Sequence, residues 1–400
     1  MIAESSELRG IRVGVVNWRD PWHSLGGGSE RYAWEFARAM VQAGAEVEFW
    51  TARDEHQEAL EVREGITIRR RGGTYGFYPS VWLWFMRSRL RRRLDVVIDA
   101  ENGIPVFAPL VVGRRTRVLL VMHHVHQEQF RTYFPRPVSD VGRFIEGRLM
   151  PRVYRRVRTL AVSDSTVTEM RRQIGWRPPV EVVPNGADPA AHLPDVVASQ
   201  PDRLLVLGRL ATHKRIDAVV RAVAVLAEER PGVRLDIVGQ GPEDERLAQL
   251  VSELGVGDRV VLHGFLSEAD KARLLTEARL HLCASDAEGW GQVVVESASY
   301  GLPTLARDVP GLRDSIRDGE TGWLVTDPSG HDDQLPGVLV DAMRVALAEL
   351  EDETRRAEIG DACRAWADRF SWAAMRRRVQ GLVLEELAYR SSSGDRSATT

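Results

Sequence analysis

Short β-rich runs alternate with helix-length segments along almost the whole chain, and the alternation is played through twice. In the first pass, "IRVGVVNW" (11–18), "EVEFWT" (46–51), "ITIRRR" (66–71), "DVVIDA" (95–100) and "RVLLVMH" (117–123) have strand character. Between the first two, "GSERYAWEFARAMVQAG" (28–44) has helical period and stops on a glycine. "TLAVSDSTVTEMRRQIG" (159–175) reads as strand, Ser/Asp cap and helix, and "VEVVPNGAD" (180–188) as a strand running into an Asn-Gly turn. The rhythm restarts at "RLLVLGRL", and "VRLDIVGQGP", "RVVLHGFL", "ARLHLCAS", "LPTLAR" and "TGWLVT" follow as strands between helical segments. Alternation of this kind implies parallel sheets covered by helices on both faces. The expected fold class is therefore α/β: two Rossmann-like, doubly wound parallel-sheet domains facing an interdomain cleft, with ligands at strand carboxyl ends.

A length of 400 residues suits two such domains. The proline-bearing, aperiodic "HLPDVVASQPD" (192–202) reads as the linker, which gives an N-terminal domain over 1–193 and a C-terminal domain over 194–370. A last amphipathic helix is expected over 371–390 and an unstructured tail over 391–400. No apolar run approaches the roughly 18 residues of a membrane span. The start carries acids where a secretion signal carries bases. Two cysteines, Cys283 and Cys363, make neither a disulfide framework nor a metal cluster, so a cytoplasmic setting is the expectation.

Charge divides the halves. Residues 1–193 hold 29 basic and 22 acidic residues, and residues 194–400 hold 25 basic and 35 acidic. The first half would draw an anionic surface or acceptor, while the acidic second half argues against a nucleic-acid partner. In the first half, "YPSVWLWFMRSRLRRRL" (78–94) combines aromatics with five arginines. It reads either as a peripheral contact with an anionic membrane or as a helix with one buried and one solvated face. Of the 54 basic residues only Lys214 and Lys271 are lysines, in a chain that otherwise uses arginine.

Four stretches carry candidate chemistry. "LGGGSER" (25–31), with Gly27 and Gly28, bares backbone before a helix N-terminus, where N–H groups and the helix dipole can meet a phosphate. It is not a dinucleotide fingerprint. "LGRLATHKRID" (207–217) sets Arg209 and Lys214 just past a strand end, a guanidinium and an ammonium that suit a pyrophosphate. "AEGWGQVVVES" (287–297) places Glu288 in a loop and Glu296 on the helix that follows. The three valines favour strand by propensity, but the short loop and "ESASYG" favour helix over about 291–300, and helix is the reading taken. Two acids so spaced suit two hydroxyl-bearing parts of one ligand, with the N–H groups of Gly289, Trp290, Gly291 and Gln292 between them for anionic oxygens. In "VMHHVHQEQ" (121–129), His123 and His126 could bind a metal, yet no helical i, i+4 pair with an acid accompanies them. A single histidine aimed into a cleft is preferred, with no metal.

Taken together, these residues resemble the retaining glycosyltransferases of family 4, which have the GT-B fold. The likeness runs from Val13 to about Trp372. Its most specific parts are "EGWGQVVVESASYGLP", with the family's Glu-x7-Glu spacing, and "DVPGLRDSIRDGETGWLV" (308–325). "GRLATHKRID", "VGQGP" (238–242), "HGFLSEADKARLL" (263–275), "VSDSTVTEM", "VPNGAD" and "GGGSER" fall in family order. The resemblance implies transfer of a sugar from a nucleoside diphosphate sugar, a UDP-sugar ahead of GDP-mannose, to a hydroxyl acceptor, with lipid-linked and envelope glycans among the candidates. It implies retention of anomeric configuration, no cofactor and no metal for chemistry. Arg209 and Lys214 would bind the pyrophosphate, Glu288 the sugar hydroxyls and Glu296 the ribose. Gly289, Trp290, Gly291 and Gln292 would offer backbone N–H groups, and Gly27 and Gly28 would close on the β-phosphate. His123 matches the family's histidine near the reacting sugar. His124 stands where the family usually has aspartate, and Asp314 where glutamate is commoner. A nucleotide-sugar epimerase of the same architecture and a non-catalytic nucleotide-sugar binder are the alternatives; the intact set of cations and acids speaks against the second.

Overall fold

The computed structural model of the chain describes residues 7–394 except 25, 92–93, 102, 192–198 and 328–332. Most of the expected linker therefore lies outside the described residues. The chain divides into two compact units: Met1–Asn185 together with Trp372–Thr400, and Gly186–Ser371. The change of unit falls at Asn185, before the linker, because the bridge from Ala187 to Ser371 ties the segment after the Asn-Gly turn to the second unit.

In the first unit the strands are β1 (Arg12–Val16), β2 (Glu46–Thr51), β3 (Leu60–Arg63), β4 (Ile66–Arg70), β5 (Val96–Glu101), β6 (Arg117–Met122), β7 (Arg158–Ala161) and β8 (Val180–Val182). They form one sheet in the order β3-β4-β2-β1-β5-β6-β7-β8, parallel except for β3. The order turns back between β1 and β5, so the carboxyl ends of these two strands flank the point where a doubly wound sheet binds ligands. Strand β5 is buried at every position, as a central parallel strand covered on both faces should be. It nevertheless ends in Asp99 and Glu101, both with no exposed surface.

The second unit has β9 (Arg203–Leu207), β10 (Arg234–Val238), β11 (Val260–Gly264), β12 (Leu280–Cys283), β13 (Thr304–Arg307) and β14 (Gly322–Val325). Its order is β11-β10-β9-β12-β13-β14, all parallel. This is the 3-2-1-4-5-6 winding of a dinucleotide-type domain, and its switch point lies between β9 and β12. The loops after those two strands carry Arg209 with Lys214, and Glu288, respectively.

The last helix, Trp372–Gly394, belongs to the first unit and packs on the helix Gly28–Gln42. Gln380 donates to the Ala39 carbonyl at 2.7 Å, and Arg376 reaches Glu35 at 2.5 Å. Glu35 is fully buried and also holds Arg31 at 3.0 Å and Arg38 at 2.9 Å. The helix runs four residues into the stretch read as a tail; residues 395–400 lie outside the described set. No helix among the described residues is long and apolar enough to cross a membrane. The helix Gly73–Arg91 buries Phe77, Val81, Trp84 and Phe85 and exposes Leu83, Met86 and Leu90.

Candidate functional site

The second unit assembles its candidate site from loops that hold one another by backbone contacts. After β9 the chain turns at Gly208, and Arg209 follows with its side chain half-buried. Its guanidinium has no carboxylate partner among the described residues. Gly241 supports this turn: a Cβ there would run into the carbonyl of Leu210, so only glycine lets the loop after β10 lie against the loop after β9. The Asp286 N–H then donates to the His213 carbonyl at 2.8 Å, which fixes the loop after β12 to the segment bearing Lys214.

Lys214 forms an ion pair with Glu288, and Ser285 donates to the same Glu288 oxygen at 2.9 Å. Burial pulls the Lys214 pKa down, but the Glu288 carboxylate outweighs it and the net shift is upward, so the ammonium is charged at neutral pH. Arg209 acts on Lys214 in the opposite sense, which shows that two cations share this corner with one acid. Next door, burial and Lys214 lower the pKa of His213 to about 4, leaving that ring neutral.

The stretch 292–299 is helical, Gln292–Ser299, against the β-propensity of its valines. Val294 and Val295 are buried and the helix stops at Gly301, which has a positive φ of 76°. Gly291 is its N-cap and Glu288 precedes it, with Gly289 and Trp290 between. The Trp290 side chain is core: it is 6% exposed and meets Phe370 edge-on at 4.9 Å. Gly311, in the downstream glycine block, has φ 83° and no room for a Cβ, which would strike the Glu288 carbonyl. That block is the floor beneath the Glu288 loop. Glu296 lies little more than one turn into the helix and accepts from Lys271 at 2.7 Å. Lys271 also pairs with Glu268 at 2.8 Å. Burial lowers the Lys271 pKa, and Glu296 together with Glu268 more than restores it.

Lys271 was not among the sequence candidates. The signal was present, since the chain has two lysines and each is paired with one of the two acids in 287–297. A compact ammonium pins a carboxylate by one oxygen and leaves the other open, which a bidentate guanidinium would not.

In the first unit the glycine loop opens the helix Gly28–Gln42, with Gly27 as N-cap. The Gly27 N–H donates to the Glu30 carboxylate at 2.8 Å, and the Ser29 hydroxyl to the same oxygen at 2.9 Å. The helix thus caps itself with its own acid, and a phosphate arriving at Gly27 would have to displace Glu30. His123 lies just past β6, 8% exposed, with Tyr32 edge-on at 5.3 Å. Burial, with His126 adding, lowers its pKa to about 3, so His123 is a neutral imidazole. Its Nε2 has no hydrogen-bond partner among the described residues.

At the same end of this sheet lies a second polar cluster that the sequence candidates touched only at His126. Asp99 is well supplied, accepting from Val106 N–H at 3.1 Å, Ala108 N–H at 3.2 Å and the Tyr154 hydroxyl. Glu101, two residues on, is fully buried, and among the described residues neither oxygen makes a hydrogen bond of ordinary geometry, although the Gly103 N–H and the His126 ring lie near enough to favour its charged form. Burial lifts its pKa to about 8, with His126 opposing and Glu146 adding. An unpartnered buried carboxylate costs several kcal/mol as an anion, so Glu101 must take up a proton or a cation.

Comparisons with known proteins agree with this architecture. The family model described as Glycosyltransferase Family 4 matches residues 26–191, and the one described as Glycosyl transferases group 1 matches residues 194–346. The chain is 29% identical over 398 residues to the D-inositol 3-phosphate glycosyltransferase of Thermobispora bispora, covering 90% of each chain. It is 32% identical over 252 residues to the protein of that name from Acidothermus cellulolyticus, a match spanning 57% of this chain and only about half, 54%, of that one. Among solved structures, HepE of Anabaena, in complex with UDP and glucose, superimposes with a TM-score of 0.70 at 18% identity, covering 93% of this chain and 99% of HepE. Its two parallel-sheet units and the two family models that between them span both make this chain a member of the family 4 glycosyltransferases of GT-B fold.

Proposed function

We propose that the chain transfers a sugar from a nucleoside diphosphate sugar to a hydroxyl acceptor with retention of anomeric configuration. The observation that carries this reading is the corner made by Arg209, Lys214 and Glu288 at the switch point of the second sheet. Among the described residues Arg209 has no acid of its own, and Lys214 is held charged by a carboxylate that a diphosphate can replace. In this account the pyrophosphate takes Arg209 and Lys214, and Glu288, relieved of Lys214, accepts from the hydroxyls of the donor sugar. Glu296, pinned through one oxygen by Lys271, accepts from the ribose hydroxyls with the other. The N–H groups of Gly289, Trp290, Gly291 and Gln292 meet phosphate and sugar oxygens at the positive end of the helix.

The departing diphosphate is the group on which charge develops. Preset cations and amides aimed at it lower the barrier by a few kcal/mol for each well-placed donor. From the first unit we assign Gly27 and Gly28 to a donor phosphate and His123 to hydrogen bonding at the reacting sugar, a role its neutral imidazole suits. No carboxylate is assigned as a covalent nucleophile, so attack on the same face as departure is the proposed route. The transfer itself uses no metal or cofactor. UDP-sugars are favoured as donors, in line with HepE, and GDP-mannose is the second choice. An anionic or lipid-linked acceptor at the inner face of a membrane is supported by the exposed Leu83, Met86 and Leu90 beside Arg87 and Arg89 on the helix Gly73–Arg91.

Incubation with UDP-glucose, UDP-N-acetylglucosamine or GDP-mannose tests the reading. Slow release of free sugar in the donor's own anomeric configuration, unchanged by added magnesium, is expected. A new nucleotide sugar would instead mean an epimerase, and inverted free sugar would rule out retention.

A further inference from the structure

Three segments of the first unit bring ligand-type side chains to one buried point at the carboxyl end of its sheet. Glu101 ends β5, His126 closes the loop after β6, and Glu146 stands on the π-helical turn Ile145–Leu149. That turn interrupts a helical stretch between Arg136–Phe144 and Met150–Val153, and such interruptions concentrate where side chains are aimed for function. One donor atom from each residue falls within 4.8 Å of the others. Both glutamates are fully buried, and His126 is 17% exposed.

The separations select among explanations. His126 Nδ1 is 3.4 Å from a Glu101 oxygen and 3.5 Å from a Glu146 oxygen. Hydrogen bonds from an imidazolium to a carboxylate run at about 2.7–2.9 Å, so the ring stands beyond that length from both acids, which still favour its charged form, and among the described residues Nδ1 has no hydrogen bond of ordinary geometry. Four-coordinate zinc with bonds of about 2.0–2.1 Å holds its ligand atoms about 3.3–3.4 Å apart. Six-coordinate magnesium with bonds of about 2.0–2.1 Å would bring neighbouring ligands to about 3.0 Å, and calcium takes oxygen ligands in place of imidazole. Glu146 is already oriented by the His126 N–H at 2.6 Å and by the Gln127 amide at 2.6 Å, the kind of outer support that fixes a metal-binding carboxylate. Among the described residues Glu101 has no hydrogen bond of comparable geometry on either oxygen. The same unit shows how a buried carboxylate is otherwise satisfied, since Glu35 has three arginines. A metal-bound imidazole is neutral, so with it the two carboxylates carry a charge of −2, which one divalent ion cancels.

We propose that Glu101, His126 and Glu146 form a structural site for a four-coordinate divalent transition metal, zinc by this geometry. The second oxygen of Glu101 or a water completes the shell. The ion staples the loop 123–127 to β5 and to the helical stretch 136–153, and takes no part in sugar transfer. The inference is independent of the donor reading above, because its residues and its test involve neither nucleotide nor sugar.

The test uses the full chain without a histidine tag, loaded with zinc sulfate and gel-filtered. Plasma mass spectrometry should find about one zinc per chain, and uptake should release protons as the acids and imidazole give theirs up. Glu101→Gln and His126→Phe should each lower the zinc content at least tenfold, while His56→Gln, at an exposed histidine, should retain it. Circular dichroism reports whether each variant folds. X-ray absorption of the zinc-loaded wild type needs no variant: one imidazole nitrogen with oxygen donors, and no sulfur, is expected. No zinc on the wild type, a sulfur-containing shell, or full retention of zinc in folded Glu101→Gln and His126→Phe would overturn the proposal.

Discussion

The two units share a winding but treat their acids in opposite ways. In the second, Glu288 and Glu296 keep a solvent-facing edge, 17% and 25% exposed, and each is held by a lysine. In the first, Glu101 and Glu146 are sealed from solvent and no lysine or arginine pairs with either among the described residues. In a mostly buried ion pair desolvation offsets much of the attraction, so a ligand that brings its own charge can replace one partner. A sealed acid cluster cannot exchange with passing solutes and must be satisfied permanently. Glu288 and Glu296 are thus suited to a ligand that comes and goes, and Glu101 and Glu146 to a fixed structural charge.

The comparison breaks first at Lys214. Lys214→Ala should lower turnover about 10²-fold or more, as loss of a preset charge on a leaving group does. Steady-state kinetics near the wild-type value would remove its pyrophosphate role.

Acid stability gives the next effect. His281 is fully buried in β12, with Nδ1 3.0 Å from the Thr304 hydroxyl, and burial with Lys214 lowers its pKa to about 3. Below the unfolded value of about 6.5 the unfolded chain takes a proton that the folded chain refuses, so stability falls as pH drops from 6.5 toward 3. The loss is about 1.4 kcal/mol per pH unit for each such histidine. Melting curves from pH 7 to pH 5 should flatten in His281→Gln; an unchanged slope would show that His281 does not carry this linkage.

Glu296→Ala should raise the donor KM about tenfold, or about 1.4 kcal/mol, with little change in kcat, as loss of a ribose contact does. A main effect on acceptor KM would contradict the ribose assignment. Lys271→Met should act in the same direction but by only a few-fold, because it removes the prop and leaves the acid. If it matched or exceeded Glu296→Ala, Lys271 would touch the donor itself.

Much of this was legible in the sequence because parallel strands read as apolar runs and their loops as glycine-rich motifs. The helix at Gln292–Ser299 was reached against propensity, from loop length and the Gly301 stop. Strand β3 was missed: Leu60 and Val62 are exposed, and the strand pairs antiparallel to β4 through Glu64 and Gly65, both at positive φ. A Glu-Gly hairpin with no buried face gives no periodic signal. The pairing of Lys271 with Glu296 joins two segments far apart in sequence, which no local pattern encodes. Glu101 was hidden at the end of an apolar run, and Glu146 in a helical stretch whose π turn shifts the expected faces.

The most direct measurement is calorimetric titration of UDP and of uridine into the wild type, Lys214→Ala and Glu296→Ala. Lys214→Ala should weaken UDP at least tenfold and leave uridine unchanged, while Glu296→Ala should weaken both. Equal UDP affinity in wild type and Lys214→Ala would contradict a donor diphosphate held at the β9/β12 switch point.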